Sequence, residues 1–369
     1  MYPEIMANDN QDLTSRIPQR PGIHDVRAKP SSDGCRRCFD VRLGWTAFYL
    51  MLAVLFNCQA GGAETLHLAV QKTGTFAWEL AIIRARGLDK KAGLDIQVTE
   101  LGSSEAVKIA LLGRSADIIL SDWLWVARQR HLGGRLVFSP YSTALGAVMV
   151  RAGSTIKDLA GLKGKTIAVA GGPLDKSWLL LQAFAREKHF AIASEANVIY
   201  GAPALLFQKA VNGEADATLT YWNFCVSLES RGFRRLIEME EVEKRLGAKG
   251  PVAMIGYVFD ESYARTHAAT LARFFKIAAE AKEILAHSDA DWETIARQNG
   301  ISGEAQLALY KKSYSDGIPR RPLEEEAADA KVLYHALVQT GGADFAGLAK
   351  EFDEETYYKG RVGLAPREN

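Results

Sequence analysis

The feature that most constrains this fold is an alternation of short apolar strands and amphipathic helices, which occurs twice along the chain. In the first block, strand patterns alternate with helix patterns at 64–70, 76–86, 94–101, 104–112, 116–120 and 123–131. In the second block, the same alternation occupies 166–170, 175–188, 198–200, 202–212 and 215–219. Parallel strands need a crossover connection, which is usually a helix. The sequence therefore predicts an α/β protein with two lobes, each a mostly parallel sheet with helices on both faces.

The remaining segments complete this two-lobe plan. Strands near Leu136 and Ala147 close the first block, and a later strand pattern at 252–259 most simply returns to the sheet of the first lobe. Helix patterns follow from Ser262 to the end of the chain. We therefore predict a first lobe, a second lobe and a return to the first lobe with C-terminal helices, at 64–152, 153–249 and 250–369. The predicted hinge crossings are the stretches 152–155 and 247–251.

The first 63 residues have the composition of a targeting segment. Residues 1–42 are polar and have no sustained apolar period, so we expect them to be disordered. An apolar run at 43–56 and a small-residue stretch at 59–63 follow, in the order of a secretory signal peptide. The apolar run has 14 residues, fewer than the roughly 20 that a membrane-spanning helix needs. We predict cleavage after Ala63 or Ala60 and a periplasmic mature protein.

Charge and cysteine content exclude several classes of protein. The chain has 45 Lys and Arg against 44 Asp and Glu, a net charge of +1 that gives no electrostatic basis for binding nucleic acid. Four cysteines in 369 residues are too few for a disulfide scaffold and too scattered for a zinc framework. Cys58 lies three residues after Leu55, so lipid attachment there is the alternative to a cleaved signal. We predict a monomer with no metal and no cofactor.

Two short motifs imitate nucleotide sites without meeting their requirements. Gly164-Lys-Thr166 ends like a phosphate-binding loop, but Leu159 stands where that loop needs glycine, and the segment precedes a strand. Gly171-Gly172 follows a strand but lacks the spacing of a dinucleotide fingerprint. The sequence contains no Gly-x-Ser-x-Gly elbow and no pair of histidines at helical metal-binding spacing. We therefore predict no catalytic residue and a protein that is not an enzyme.

Three stretches carry a resemblance to a known family: LHLAVQKTGT at 66–75, RGLDKKAGLDI at 86–96 and LAGLKGKTIAV at 159–169. They resemble the periplasmic substrate-binding proteins of ABC importers, in the branch that binds nitrate, sulfonates and taurine. The resemblance extends from about residue 64 to residue 340. It implies two α/β lobes that close on one small solute, and an ABC permease in the inner membrane as the partner.

Open parallel sheets bind ligands at the carboxyl ends of their strands, where turns lead into helices. The candidate ligand-binding residues are those that follow predicted strands: Thr73, Gly74, Thr75, Ser121, Asp122, Trp123, Gly171, Gly172, Ser177, Tyr221 and Trp222. Helix N-termini at these turns offer unpaired N–H groups that suit an anion. Other residues at the same turns have a structural interpretation, since Ser103 or Ser104 and Asp175 are typical N-caps. Trp222, at a strand end, is the predicted aromatic wall of the site.

Asp122 leaves the class of solute open. A carboxylate there repels a simple anion such as a sulfonate or nitrate and favours an amine, so the alternative to an anionic or zwitterionic solute is a pyrimidine-like heterocycle stacked on Trp222. A third alternative is an enzyme on the same fold that resembles the thiamine-pyrimidine synthases. Those enzymes rely on a cysteine-rich iron site, whereas the chain after residue 63 contains only Cys225.

Overall fold

A computed structural model describes residues 63–341 and 347–360, all within the unit Gly61–Asn369. The predicted signal peptide, its cleavage sites and Cys58 lie outside the described residues. Among the described helices, none is long and apolar enough to cross a membrane.

The described strands form two five-stranded sheets. In chain order they are β1 Glu64–Gln71, β2 Leu94–Leu101, β3 Ile118–Asp122, β4 Leu136–Ser142, β5 Ala147–Arg151, β6 Thr166–Ala170, β7 Asn197–Gly201, β8 Ala217–Thr220, β9 Phe233–Glu238 and β10 Ile255–Asp260. The first sheet has the order β2-β1-β3-β10-β4, and the second has the order β7-β6-β8-β5-β9. We refer to each sheet with its helices as lobe 1 and lobe 2.

The described helices lie between and after these strands. They are α1 Phe76–Ala85, α2 Leu88–Lys91, α3 Ser104–Leu112, α4 Trp123–His131, α5 Lys176–Glu187, α6 Ile192–Glu195, α7 Pro203–Asn212, α8 Trp222–Glu229, α9 Met239–Arg245, α10 Glu261–Thr266, α11 Ala268–His287, α12 Asp289–Asn299, α13 Glu304–Asp316 and α14 Leu323–Gly341. This alternation confirms the predicted α/β fold with C-terminal helices.

Each sheet is mixed, because the strands next to the inter-lobe connections run against their neighbours. β1 pairs in parallel with β2 and β3, whereas β10 is antiparallel to β3 and β4. In lobe 2, β6 is parallel to β7 and β8, and β5 is antiparallel to β8 and β9. The pairing of β10 confirms the prediction that the late strand returns to the first sheet.

The strand near Ala147 was assigned to lobe 1, and this assignment is wrong. β5 begins at Ala147 and pairs with β8 and β9 of the second sheet, so the first crossing lies at 143–146 rather than at 152–155. A five-residue apolar run cannot reveal which sheet it joins, because its partners are remote in sequence. Gly146 belongs to this crossing, where a Cβ atom would overlap the carbonyl oxygen of Thr220. The second crossing joins α9 to β10 and includes the predicted stretch 247–251.

The C-terminal segments pack on both lobes. α11 packs on α1 in lobe 1, whereas α13 packs on α8 and α14 packs on α5 and contributes to a core shared with lobe 2. After α14, the chain returns to lobe 1, where Tyr358 N donates to Phe138 O of β4 at 2.8 Å and the rings of Tyr357 and Phe138 pack at 5.2 Å. The helices after β10 therefore contact both lobes.

Candidate functional site

A cavity of about 950 Å³ lies between the lobes, at the ends of strands from both sheets. Lobe 1 contributes the turns after β1 and β3, the end of β4 and faces of α3 and α4. Lobe 2 contributes the loop from β6 to α5 and the turn from β8 to α8. The first crossing also lines the cavity. Strand ends from two open sheets thus meet at one cleft, the usual position for a ligand in α/β folds.

The structure brings ten of the eleven predicted site residues to this cavity. They are Thr73, Gly74, Thr75, Ser121, Asp122, Gly171, Gly172, Ser177, Tyr221 and Trp222. Trp123 does not line it. The Trp123 side chain is fully buried on the other side of the α4 N-terminus, where its ring packs edge-on against Phe352 at 5.9 Å. The ligand contacts of the other ten residues stay predictions.

Trp222 is a cavity residue and a core residue at once. It is the first residue of α8, and only 7% of its surface is exposed. Its ring packs edge-on against Trp78 of lobe 1 at 5.8 Å and against Tyr310 of α13 at 6.0 Å. Tyr310 OH also donates to Asn223 O at 2.8 Å. Trp222 therefore joins α8 to lobe 1 as well as lining the cleft.

Asp122 is both a helix cap and the centre of a charged cluster. Its Oδ1 accepts from Trp125 N at 2.7 Å, which caps α4. Lys108 Nζ lies 3.7 Å from Oδ2, and Arg128 Nη2 lies 3.9 Å from Oδ1. Burial raises the pKa of Asp122, but the charges of Lys108, Arg128 and Lys176 lower it by more, so the carboxylate is ionised with a pKa below its ordinary value. Its charge is compensated locally, unlike the isolated carboxylate that the sequence suggested.

Asp175 plays the corresponding part in lobe 2 and confirms the predicted cap. Its Oδ1 accepts from Ser177 N at 2.9 Å, and Tyr221 OH donates to its Oδ2 at 3.3 Å. Lys176 Nζ lies 3.6 Å from the same carboxylate and 4.6 Å from the centre of the Tyr221 ring. Gly171 has φ +91°, and a Cβ atom there would lie 3.0 Å from Asp175 Oδ2. Glycine is therefore needed where the loop turns around the cap.

These caps change the expected chemistry of anion binding. The N-termini of α4 and α5 already have their own carboxylates, from Asp122 and Asp175, so their N–H groups are satisfied in part without a ligand. Positive charge toward the cavity comes from the side chains of Lys108, Arg128 and Lys176. These three cations lie beside the carboxylates of Asp122 and Asp175, and Glu105 also lines the cavity, so the donors available to an anionic group are side-chain cations rather than helix termini.

Sequence reasoning missed Lys108, Trp125, Arg128, Tyr141 and Lys176, which all line the cavity. Three cavity residues on α4 and the residue that caps its C-terminus, namely Trp125, Arg128, Gln129 and Leu132, have the spacing i, i+3, i+4, i+7 that marks one helix face. That spacing, directly after a strand-end turn, could have indicated from the sequence that this helix face lines the site. Trp125 and Tyr141, with Phe76 and Tyr221, give the cavity aromatic walls.

Arg128 and Lys176 are buried cations of the cleft, each with 6% of its surface exposed. Arg128 Nη2 donates across the cleft to the Leu174 carbonyl at 3.4 Å. Its Nη1 is buried and has no hydrogen-bond partner among the described residues. Burial lowers the pKa of Arg128, while Asp122 and Asp175 raise it. Arg128 thus contacts both lobes and retains one unused donor group.

The described parts of the chain contain neither a candidate metal site nor an exposed thiol. Across 63–341 and 347–360, no three His, Cys, Asp or Glu side chains are grouped to hold a metal ion. Cys225 is fully buried, and burial raises the pKa of its thiol to about 12. The thiol is protonated at neutral pH and does not line the cavity.

Comparisons with known proteins place this geometry in a family. The periplasmic aliphatic sulphonate binding protein SsuA from Escherichia coli is 18% identical, with a TM-score of 0.61 over 81% of this chain and 98% of that chain. The alkanesulfonate-binding protein SsuA from Xanthomonas axonopodis pv. citri, bound to MOPS, is 17% identical, with a TM-score of 0.62 over 81% and 99%. A putative sulfonate-binding SsuA from Methylobacillus flagellatus KT is 13% identical, with a TM-score of 0.55 over 80% and 91%.

These identities establish a shared fold, which is that of the periplasmic binding proteins. No curated protein matches the chain. A family model described as NMT1/THI5 like matches residues 81–289, more than half of the chain. The protein therefore belongs to the NMT1/THI5-like family.

Proposed function

We propose that this protein is the periplasmic solute receptor of an ABC importer and binds a small anionic or zwitterionic organic solute between its lobes. The observation that carries the proposal is the cavity of about 950 Å³, lined by strand ends of both sheets and by three cationic side chains. The fold supports it, since its structural neighbours include proteins described as sulphonate-binding. A solute that touches both lobes favours the closed state over the open one.

The lining chemistry supports an organic solute with separate polar and apolar parts. Lys108, Arg128 and Lys176 supply positive charge, whereas Asp122 and Asp175 supply carboxylates within reach of a ligand amine. The rings of Phe76, Trp125, Tyr141 and Tyr221 supply apolar walls for a carbon skeleton. A zwitterionic sulfonate such as taurine or MOPS combines these three requirements.

Binding to a defined panel of solutes tests this proposal. Thermal shift and calorimetric titration of the purified chain against MOPS, taurine, methanesulfonate, nitrate and 4-aminopyrimidine separate the classes. We expect a sulfonate to bind and to raise the melting temperature. Native mass spectrometry of protein recovered from periplasm then identifies the natural solute. If no solute is retained and no member of the panel binds, the receptor proposal is wrong.

The second candidate is a receptor for a pyrimidine-like heterocycle, which the aromatic walls and the carboxylates of Glu105, Asp122 and Asp175 favour. Asp122→Asn separates the two candidates. Loss of the Asp122 charge weakens the binding of an amine-bearing heterocycle, because a charge-assisted hydrogen bond is removed. The same change releases Lys108 and Arg128 from their carboxylate partner, so we expect it to leave sulfonate binding unchanged or to strengthen it.

The same proposal includes export to the periplasm and action with a membrane permease. We expect the mature chain to begin at Glu64 or at Gly61, after removal of the signal peptide, and to act as a monomer with a membrane permease. N-terminal sequencing of periplasmic protein tests the cleavage, since retention of residues 1–60 or lipid on Cys58 contradicts it. Small-angle scattering with and without a bound solute tests closure of lobe 1 on lobe 2, and a ligand that leaves the radius of gyration unchanged argues against hinge motion.

A further inference from the structure

Few polar side chains cross the cleft between the described parts of the two lobes. Arg128 Nη2 on α4 donates to the Leu174 carbonyl in the loop before α5 at 3.4 Å. Asn223 Nδ2 on α8 donates to the Thr73 carbonyl at the longer distance of 3.5 Å. Of these two, only the Arg128 contact carries a full charge. It also lies beside the charged cluster at Asp122, where Arg128 Nη2 is 3.9 Å from the carboxylate.

The same guanidinium has an unused donor group in the cleft. Arg128 Nη1 and Ser121 Oγ are both buried, both belong to residues that line the cavity, and both lack hydrogen-bond partners among the described residues. Leaving such a buried group unpaired is unfavourable, and more so for a charged one. These two side chains come from different elements, α4 and β3. A ligand oxyanion would satisfy donors of this kind.

We propose that Arg128 is the specificity-determining residue of the cleft, binding the oxyanion of the solute through Nη1 while Nη2 holds the Leu174 carbonyl of the opposite lobe. This inference rests on the proposed receptor function. Anion binding and lobe closure then share one side chain, because an anion that orients the guanidinium also orients its contact across the cleft. A ligand without an oxyanion gains no such preference for the closed state.

Guanidinium geometry makes this double role specific to arginine. Its N–H groups lie in one plane at fixed angles, so two acceptors on different sides are bound by one rigid group. A lysine ammonium retains the charge next to Asp122 but is a point charge on a flexible stem. Arg128→Lys therefore keeps the electrostatics of the cluster and removes the link between ligand and opposite lobe.

Arg130 provides a matched control on the same helix. It points away from the cavity, where Nε pairs with Asp353 Oδ2 at 2.6 Å and Nη1 donates to Leu136 O at 3.1 Å. Arg130→Lys makes the same chemical change outside the cleft. Ser121→Ala is the second variant, since Ser121 lines the cavity without a contact across it. It tests the oxyanion site alone, and it remains informative if Arg128→Lys fails to fold.

The experiment measures affinity for MOPS by calorimetry and the ligand-induced change in radius of gyration by small-angle scattering, on the full chain and each variant. We expect Arg128→Lys to weaken binding about 10- to 100-fold, as for loss of a charge-assisted hydrogen bond, and to reduce the compaction at saturating ligand. Ser121→Ala weakens binding about 3- to 10-fold, as for a neutral hydrogen bond, with full compaction. Arg130→Lys matches the parent in both measurements.

Each departure has a distinct meaning. If Arg128→Lys binds MOPS and compacts like the parent, Arg128 is only a partner of Asp122 and the inference is wrong while the receptor function stands. If Ser121→Ala has the affinity of the parent, the oxyanion lies elsewhere and the inference is wrong. If the parent binds only 4-aminopyrimidine from the panel, a receptor remains but the oxyanion assignment is overturned. If the parent binds nothing, both proposals are wrong.

Discussion

Two clusters of buried acidic side chains, one beneath the cleft in lobe 1 and one at the second crossing, differ in whether a cation accompanies the acid. Under the cleft in lobe 1, Glu79 is fully buried and accepts from Lys282 Nζ at 2.6 Å and from Tyr314 OH at 2.7 Å. At the second crossing, Glu243 and Glu326 are also buried, but neither forms an ion pair with a Lys or Arg side chain among the described residues. A nearby cation compensates the charge of a buried carboxylate, whereas burial without an ion pair favours the protonated form.

The paired carboxylate supports the cavity wall. Lys282 Nζ lies 3.5 Å from the centre of the Tyr141 ring, and Tyr141 lines the cleft. Burial lowers the pKa of Lys282, while Glu79 raises it. Burial and the charge of Glu79 raise the pKa of Tyr141 well above its usual value, so its hydroxyl stays protonated as a donor. The ion pair of Glu79 and Lys282 thus holds the Tyr141 ring in position against the cavity.

The unpaired carboxyls lie where the chain passes between the lobes. Glu243 is on α9, directly before the second crossing, and Glu326 is on α14. Burial raises the pKa of Glu326 to about 7, although Arg321 lowers it, and burial with nearby Glu240 and Glu326 raises that of Glu243 well above its usual range. Asp329, one turn after Glu326, accepts from Lys249 N and Gly250 N of the crossing, both at 3.1 Å. The hinge segment is therefore held partly by Asp329 and lies next to two buried acids whose pKa values are raised.

The largest effect is expected from breaking the paired cluster with Lys282→Met. The substitution leaves Glu79 buried without its cation, and a broken buried pair typically costs about 3 to 5 kcal/mol. Urea denaturation at pH 7 measures the loss. The double variant Glu79→Gln with Lys282→Met is the control, because it also removes the uncompensated charge. We expect the double variant to be more stable than Lys282→Met alone; equal or lower stability would mean that the charge is not what the lysine compensates.

The next effect is the pH dependence caused by Glu326. Its pKa rises from an ordinary 4.5 to about 7 on folding. Between these values the unfolded chain releases a proton that the folded chain keeps, so stability falls as the pH rises from about 4.5 to 7 and is constant above that range. A difference of this size corresponds to about 3 kcal/mol at most. The surrounding titratable or charged groups are Glu243, Arg321 and Tyr357.

Glu326→Gln removes this titration and flattens the corresponding part of the stability profile, measured by denaturation at intervals from pH 4.5 to 8. Glu324→Gln is the matched control, since Glu324 is exposed in the same first turn of α14. Both variants remove one acidic charge from that helix terminus. If their profiles coincide, the pH dependence does not come from the buried position.

The sequence predicted much of the fold because apolar periodicity records local structure. The strand and helix alternation, the return of β10 and the turns after β1, β3, β6 and β8 all follow from it. The strand at Ala147 was assigned to the wrong sheet, because a local apolar pattern does not indicate which strands a segment pairs with. Arg128 and Lys108 were missed because they lie within helices, away from the strand-end turns. Trp222 was taken as an aromatic wall, but α13, more than 80 residues later, covers it with Tyr310.

The smallest expected effects come from substitutions of two tyrosines, one in each cluster. Only one of them has a hydrogen-bond partner for its hydroxyl. Tyr314 OH donates to Glu79 Oε1 at 2.7 Å, whereas Tyr357 OH, beside Glu326 and Glu243, has no partner among the described residues. Both side chains are buried. Tyrosine to phenylalanine removes one hydroxyl from each and leaves the ring packing intact. The two substitutions thus compare a satisfied hydroxyl with an unsatisfied one.

We expect Tyr314→Phe to cost about 1.5 to 3 kcal/mol, since a hydrogen bond to a charged group is lost. Tyr357→Phe should change stability by less than about 0.5 kcal/mol or increase it, because removal of an unpaired buried polar atom relieves its desolvation cost. Chemical denaturation of both variants at pH 7 gives the two values under one condition. An equal loss in both would mean that the Tyr357 hydroxyl donates to one of the acids at the crossing. Those acids would then be partnered, and the contrast between the two clusters would disappear.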